Sequence, residues 1–154
     1  MKTILAIDPG LMCGWAKGQV KSLNDWSISG SGVWNLNETR YQGKGWRFIA
    51  LREHLKELLP ADFIVYEKVR RHESTLAAHA YGGFLATIQT FADDNKISYG
   101  GVEVKHVKKH ATGNGNASKY QMLQMARIRF GKHINDHNQA DALFILSRAI
   151  QEMF

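Results

Sequence analysis

The chain has 154 residues, 44% of them hydrophobic, with 20 Lys and Arg set against 14 Asp and Glu for a formal net charge of +6. That length and apolar content fit one folded domain (1–154) and exclude a disordered or low-complexity chain. No apolar run approaches the ~20 residues of a membrane-spanning helix, and the N-terminal run is broken by Asp8 without a cleavage pattern. The single cysteine, Cys13, excludes an intramolecular disulfide and reads as a small core residue in a reducing cytoplasm. In such a chain the triplet Asn116-Ala117-Ser118 matches a glycosylation signal by chance. The basic balance points to a polyanionic partner.

The first strand is expected from Thr3 to Asp8, ended by Pro9-Gly10, where proline fixes φ and glycine permits a sharp turn. Two antiparallel strands follow, near Gly14–Gly18 and Trp26–Leu36, joined by the polar turn 21–25. Phe48, Leu51, Leu55 and Leu58 keep helical spacing over 45–59, and Pro60 stops that helix. A fourth strand covers 62–67 and feeds the polar loop 68–73. The next helix, 74–93, should bury Ala77, Ala80, Phe84, Ile88 and Phe91, with Gly82-Gly83 allowing close packing on a sheet or partner helix. A fifth strand spans 97–104, followed by a basic loop. Asn116 is placed to cap a helix burying Leu123, Ala126 and Phe130 and ending at Gly131. Asp136 and Gln139 suggest a capping box for the last helix. The order βββαβαβαα implies an α/β protein, a mixed five-stranded sheet with helices on both faces.

Three acidic residues stand where burial makes a lone charge costly. Asp8 ends the first strand, Glu67 ends the fourth, and Asp141 lies inside the apolar last helix, too deep to cap it. Each has an ordinary reading: a turn cap for Asp8, an ion pair with Lys68 or Arg70 for Glu67, a salt bridge for Asp141. Three carboxylates converging from three elements instead suggest a divalent cation, and with the basic charge this reads as metal-dependent phosphodiester chemistry on nucleic acid. The run Lys105, His106, Lys108, Lys109 and His110 leads into Gly113-Asn114-Gly115. Lys119 falls in the first turn of its helix, where the dipole disfavours a cation unless an anion is present. Lys17, Lys21, Arg40, Lys44 and Arg47 could extend this basic surface, and Trp15, Trp26, Trp34 and Trp46 read as core.

Four segments in order resemble the RuvC-type Holliday junction resolvases of the RNase H-like superfamily. They are Ile7-Asp8-Pro9-Gly10, Tyr66-Glu67-Lys68-Val69, the stretch from Val104-Lys105 through Gly113 to Ser118-Lys119, and Ala140-Asp141-Ala142-Leu143. The resemblance implies an RNase H-like fold and a homodimer making paired cuts in a four-way DNA junction. It also implies Mg²⁺, with Mn²⁺ as substitute, at two ions per site, in the cytoplasm of a bacterial cell or phage-infected host. It assigns Asp8, Glu67, Asp141 and Lys105 to catalysis, with Asp8, Glu67, Asn138 and Asp141 around the metal. Lys119, Arg70, Arg71, Lys108, Lys109 and Gly113 are expected on DNA.

Two positions depart from the family. Where it carries an acid or a histidine three residues before the last aspartate, this chain has Asn138, whose amide oxygen can coordinate a cation but cannot act as a base. Asp136 is the expected helix cap and His137 a solvated neighbour able to shuttle a proton. Where the family often carries an aromatic wedge, this chain has Arg70. The rival readings are a broader nuclease for flaps, forks and hybrids, and a non-catalytic junction binder disabled at Asn138.

Overall fold

Side-chain alternation along β1 (Lys2–Asp8) sends Ile4 and Ala6 to one side of a sheet and Leu5 and Ile7 to the other, and all four are fully buried. In β4 (Phe63–Lys68), Val65 faces the first side and Ile64 and Tyr66 the second. Strands apolar on both faces must be covered on both faces. The computed structural model describes residues 1–154 and shows how. β2 (Met12–Ser22) and β3 (Asp25–Asn35) extend the sheet antiparallel from β1, while β4 and β5 (Ser98–Glu103) continue it in parallel, giving the order β3-β2-β1-β4-β5.

α1 (Trp46–Glu57) and α2 (Thr75–Asp94) cover one face through Leu51, Leu55, Phe84, Ile88 and Phe91. α3 (Val104–Thr112), α4 (Lys119–Phe130) and α5 (His137–Met153) cover the other. α5 is buried almost all round, from Ala140 to Ile150, because it is sandwiched between the sheet and the other two helices. Cys13 is fully buried, and burial pushes its thiol pKa up, in keeping with an inert core residue. No helix is long and apolar enough to cross a membrane.

Several local expectations are corrected. The supposed basic loop after β5 is a helix, α3, anchored by the buried pair Val107 and Ala111 and closed by Gly113 at φ 82°. Ser118, rather than Asn116, caps α4, in a reciprocal capping box with Gln121. Met122 and Ala126 are its buried residues, with Leu123 and Phe130 packed at the edge. Asp136 caps α5, but the Gln139 amide turns away and donates to Ser31 Oγ of β3 at 2.9 Å, so no capping box forms. His137 is half-buried rather than solvated, and Ala77 is exposed. Gly83 abuts Phe48 of α1, where a methyl would overlap the ring, whereas Gly82 faces open space. The tryptophans are half-buried, with Trp15 stacked on Trp34 and Trp34 on His54.

Candidate active site

Strand register builds the first half of the site. Ile7 pairs with Tyr66 across the parallel β1–β4 ladder, so the next residues, Asp8 and Glu67, emerge side by side where both strands end. Asp8 continues the Ile4–Ala6 series and Glu67 follows Val65, so both carboxylates point to the face that α5 covers.

The second half arrives with α5. Gly14 is the cross-strand partner of Asp8, and the first turn of α5 lies directly on it. A methyl on Gly14 would stand 2.5 Å from the Asn138 carbonyl carbon and nearer still to its oxygen, so only glycine admits this approach. The Asn138 N–H donates to Asp136 Oδ1 at 2.7 Å, and Gln139 ties the same turn to β3. Asp141, one turn further on, is thereby carried toward Asp8 and Glu67.

The three carboxylates share one electrostatic environment. Burial, then the Glu67 and Asp141 charges and contact with the Glu67 carboxyl, hold Asp8 well above the usual carboxylate range, against a smaller opposing pull from Lys119. Burial and Glu67 push Asp141 up to about 7, opposed by Lys108 and Lys119. Part of each residue still reaches solvent, and none of the three forms an ion pair. Asp8 and Glu67 meet directly, while Asp141 acts on Asp8 through its field alone. No three acidic, His or Cys groups are gathered tightly about one point.

A basic cavity of about 800 Å³ is lined by Lys68, Arg70, Arg71, Lys105, His106 and Lys108. Arg70 is held by Glu103, 2.6 Å away at its closest, so the ordinary reading of Glu67 as its ion-pair partner does not hold. Lys105 is exposed on the wall, and the cations that act on the carboxylates are Lys108 and Lys119. Lys109 projects from another side of α3, and Gly113 is exposed at its end. Of the other cations considered, Arg47 is enclosed and paired with Glu38, Lys44 shares that partner, Lys21 pairs with Asp25, Lys17 donates to the Leu58 carbonyl, and Arg40 lies over Tyr41.

One contributor is invisible to motif reading. The Tyr81 hydroxyl, on α2, accepts from the Val69 N–H at 3.1 Å and donates to the Glu67 carbonyl at 2.9 Å. It clamps the backbone on both sides of Lys68. No spacing in the sequence links residue 81 to this loop.

No family model matches the chain. The crossover junction endodeoxyribonuclease RuvC of Brachyspira hyodysenteriae is 29% identical over 147 residues, covering 92% of this chain and 89% of the relative. The RuvC of Wolbachia sp. subsp. Brugia malayi is 26% identical over 151 residues, 94% and 91% of the two chains. A solved structure of T. thermophilus RuvC in complex with a Holliday junction substrate superposes with a TM-score of 0.82 at 19% identity, over 99% of this chain and 95% of that one. The chain is similar to RuvC proteins over more than nine tenths of its length. Its sheet and helices form the RNase H-like fold of that RuvC structure. In RuvC-like terms, the resemblance first carried by four short segments extends along almost the whole sequence.

Proposed function

We propose that this chain is an endodeoxyribonuclease that resolves four-way DNA junctions by metal-dependent phosphodiester hydrolysis. It would act as one nuclease domain per subunit of a homodimer and leave paired nicks. The observation that carries this reading is the cluster of Asp8, Glu67 and Asp141, which has no protein cation in ion-pair contact and opens beside a basic cavity. Its support from outside the chain is that the relatives similar along its length are named crossover junction endodeoxyribonucleases.

The donor set fits a hard divalent cation. It offers carboxylate oxygens and the Asn138 amide oxygen, without thiolate or an obligate imidazole. Left alone, burial and mutual repulsion hold protons on Asp8 and Asp141; a dication favours the ionised forms instead. Asp8, Glu67 and Asp141 would hold Mg²⁺ or Mn²⁺, with the Asn138 amide oxygen as a further ligand. Two ions bound there would supply an activated water and charge stabilisation at the leaving oxygen. Asn138 offers no base. Lys119 and Lys108 offset negative charge beside Asp141, and Lys105, Arg71 and Lys68 hold the DNA backbone along the cavity wall. Arg70 reaches DNA only by leaving or sharing Glu103.

A second copy would pack on the outer face of α2, where Leu76 is 79% exposed and Gly82 is open. Gly83 is already committed to Phe48 within the chain.

Synthetic four-way junctions incubated with Mg²⁺ or Mn²⁺, alongside gel shifts in EDTA, test the proposal. Symmetric paired nicks support it. Unpaired cuts on flaps and forks would replace it with a broader nuclease, and junction binding without cuts would make the chain a non-catalytic binder.

A further inference from the structure

α3 separates two cavities. One is the basic cavity beside the carboxylates; the other, about 460 Å³, lies between α3 and the C-terminal half of α5 and is lined by His106, Lys109, His110, Arg148 and Gln151. None of these five is apolar and none is acidic. His106 lines both cavities, so a chain of donors runs round α3 from one to the other. The second cavity is built rather than incidental. His110 Nε2 lies 2.8 Å from Oγ of the buried Ser147, and Arg148 donates to Gln151 Oε1 at 3.1 Å while pairing with Glu152 at 2.8 Å. Glu152 neutralises part of the Arg148 charge, but Lys109 is exposed and has no carboxylate partner.

A donor-rich, acid-free cavity with an unpaired lysine selects an anion that accepts several hydrogen bonds, as a phosphate group does. Arg148 and Gln151 lie seven and ten residues beyond Asp141 on α5, roughly 10–15 Å along the helix. That reach corresponds to about 3–5 base pairs of duplex. We infer that this second cavity binds a backbone phosphate of a duplex arm, so that the DNA follows α3 from the carboxylates to the end of α5. The inference rests on the junction reading given above, and it adds a contact outside the cutting site.

The test is junction binding in EDTA by a Lys109→Glu/Gln151→Glu double variant. Both residues are exposed, and the new carboxylate at 151 can still accept from Arg148. A thermal melt checks that the fold is kept. The expected result is about tenfold weaker binding, with the slope of log K against log salt reduced by about one. Methylphosphonates placed about 3–5 base pairs from the branch point should weaken the wild-type protein similarly and the double variant little. Equal binding by the two proteins, or equal losses on the neutralised arm, would overturn the inference. Inorganic phosphate that shifts the His106 and His110 ring resonances without any arm effect would also overturn it, leaving a free anion as the occupant. If the wild-type protein shows no preference for junctions over linear duplex, the junction reading fails instead. A variant-dependent loss on linear duplex would still report the phosphate site.

Discussion

The carboxylate cluster and the basic wall beside it are built to opposite tolerances. Asp8, Glu67 and Asp141 are fixed by strand register, a capped helix turn and a backbone contact at Gly14 that leaves no room for a methyl group. The wall cations Lys68, Lys105 and Arg71, and Lys119 near the cluster, are exposed and reach outward on long side chains. Positioned oxygen ligands must be exact to a fraction of an ångström, whereas phosphate contacts tolerate adjustment and act through summed charge. Single changes in the cluster should therefore remove chemistry, and single changes on the wall should only dilute affinity.

The sharpest way to break this contrast is Asp8→Asn. Cleavage should fall by roughly 10²–10³-fold or more, while junction binding in EDTA stays the same or tightens, since a negative charge facing phosphate is lost. Near wild-type turnover, measured under single-turnover conditions, would remove Asp8 from the chemistry.

Gly14→Ala tests the cluster without touching an acid. The added methyl must push α5 off β2, costing about 1–3 kcal/mol of stability and moving Asn138 and Asp141 enough to lose roughly 10²-fold in rate. A melting curve and a rate both matching wild type would show that the close approach is not needed.

The raised acids also predict a pH signature. Asp8 and Asp141 hold protons more tightly folded than unfolded, so what they contribute to the stability of the metal-free fold is fully present below the ordinary carboxylate pKa. The Asp141 part is lost as pH rises from about 4 through about 7. The loss should be on the order of a few kcal/mol, and Asp141→Asn should flatten it in urea titrations run across that range. The same pH dependence in the wild type and in Asp141→Asn across this window would contradict the assigned shift.

Asn138→Asp should raise affinity for Mg²⁺ about tenfold, and Mn²⁺, more tolerant of an incomplete shell, should gain less. Calorimetry with each ion and cleavage rate against Mg²⁺ concentration measure it. An unchanged or slower rate would make asparagine the working residue at this position.

The smallest expected effect is on the wall. Lys119→Ala should weaken junction binding a few-fold and lower the salt slope by about one. It should also stabilise α4 by about 0.3–1 kcal/mol, because the cation sits at the helix N-terminus. A large loss of cleavage at saturating junction would move Lys119 from the wall into the cluster.

How legible all this was in the sequence follows the range of the interactions. The strands and α1, α2 and α5 were readable because their apolar residues repeat locally, as in Ile4–Ile7 and Leu51–Leu55. α3 was missed because two buried residues, Val107 and Ala111, are hidden among five Lys and His residues. Cap identities erred by choosing Asn116 over Ser118 and by giving Gln139 a local role when its partner is Ser31 on β3. Asp8, Glu67 and Asp141 stood out because carboxylates in such surroundings are unusual. Gly14 and Tyr81 did not, since their partners lie across the fold and their residue types are unremarkable where they stand.

Tyr81 has a mechanical consequence. Its hydroxyl joins α2 to the backbone on either side of Lys68, with Glu67 on the near side, while the outer face of the same helix is the proposed seat of a second copy. A shift of α2 that kept these two bonds would carry the Glu67 backbone with it. If a second copy seats on that face as proposed, its contact with α2 would bear on the Glu67 backbone of the same subunit.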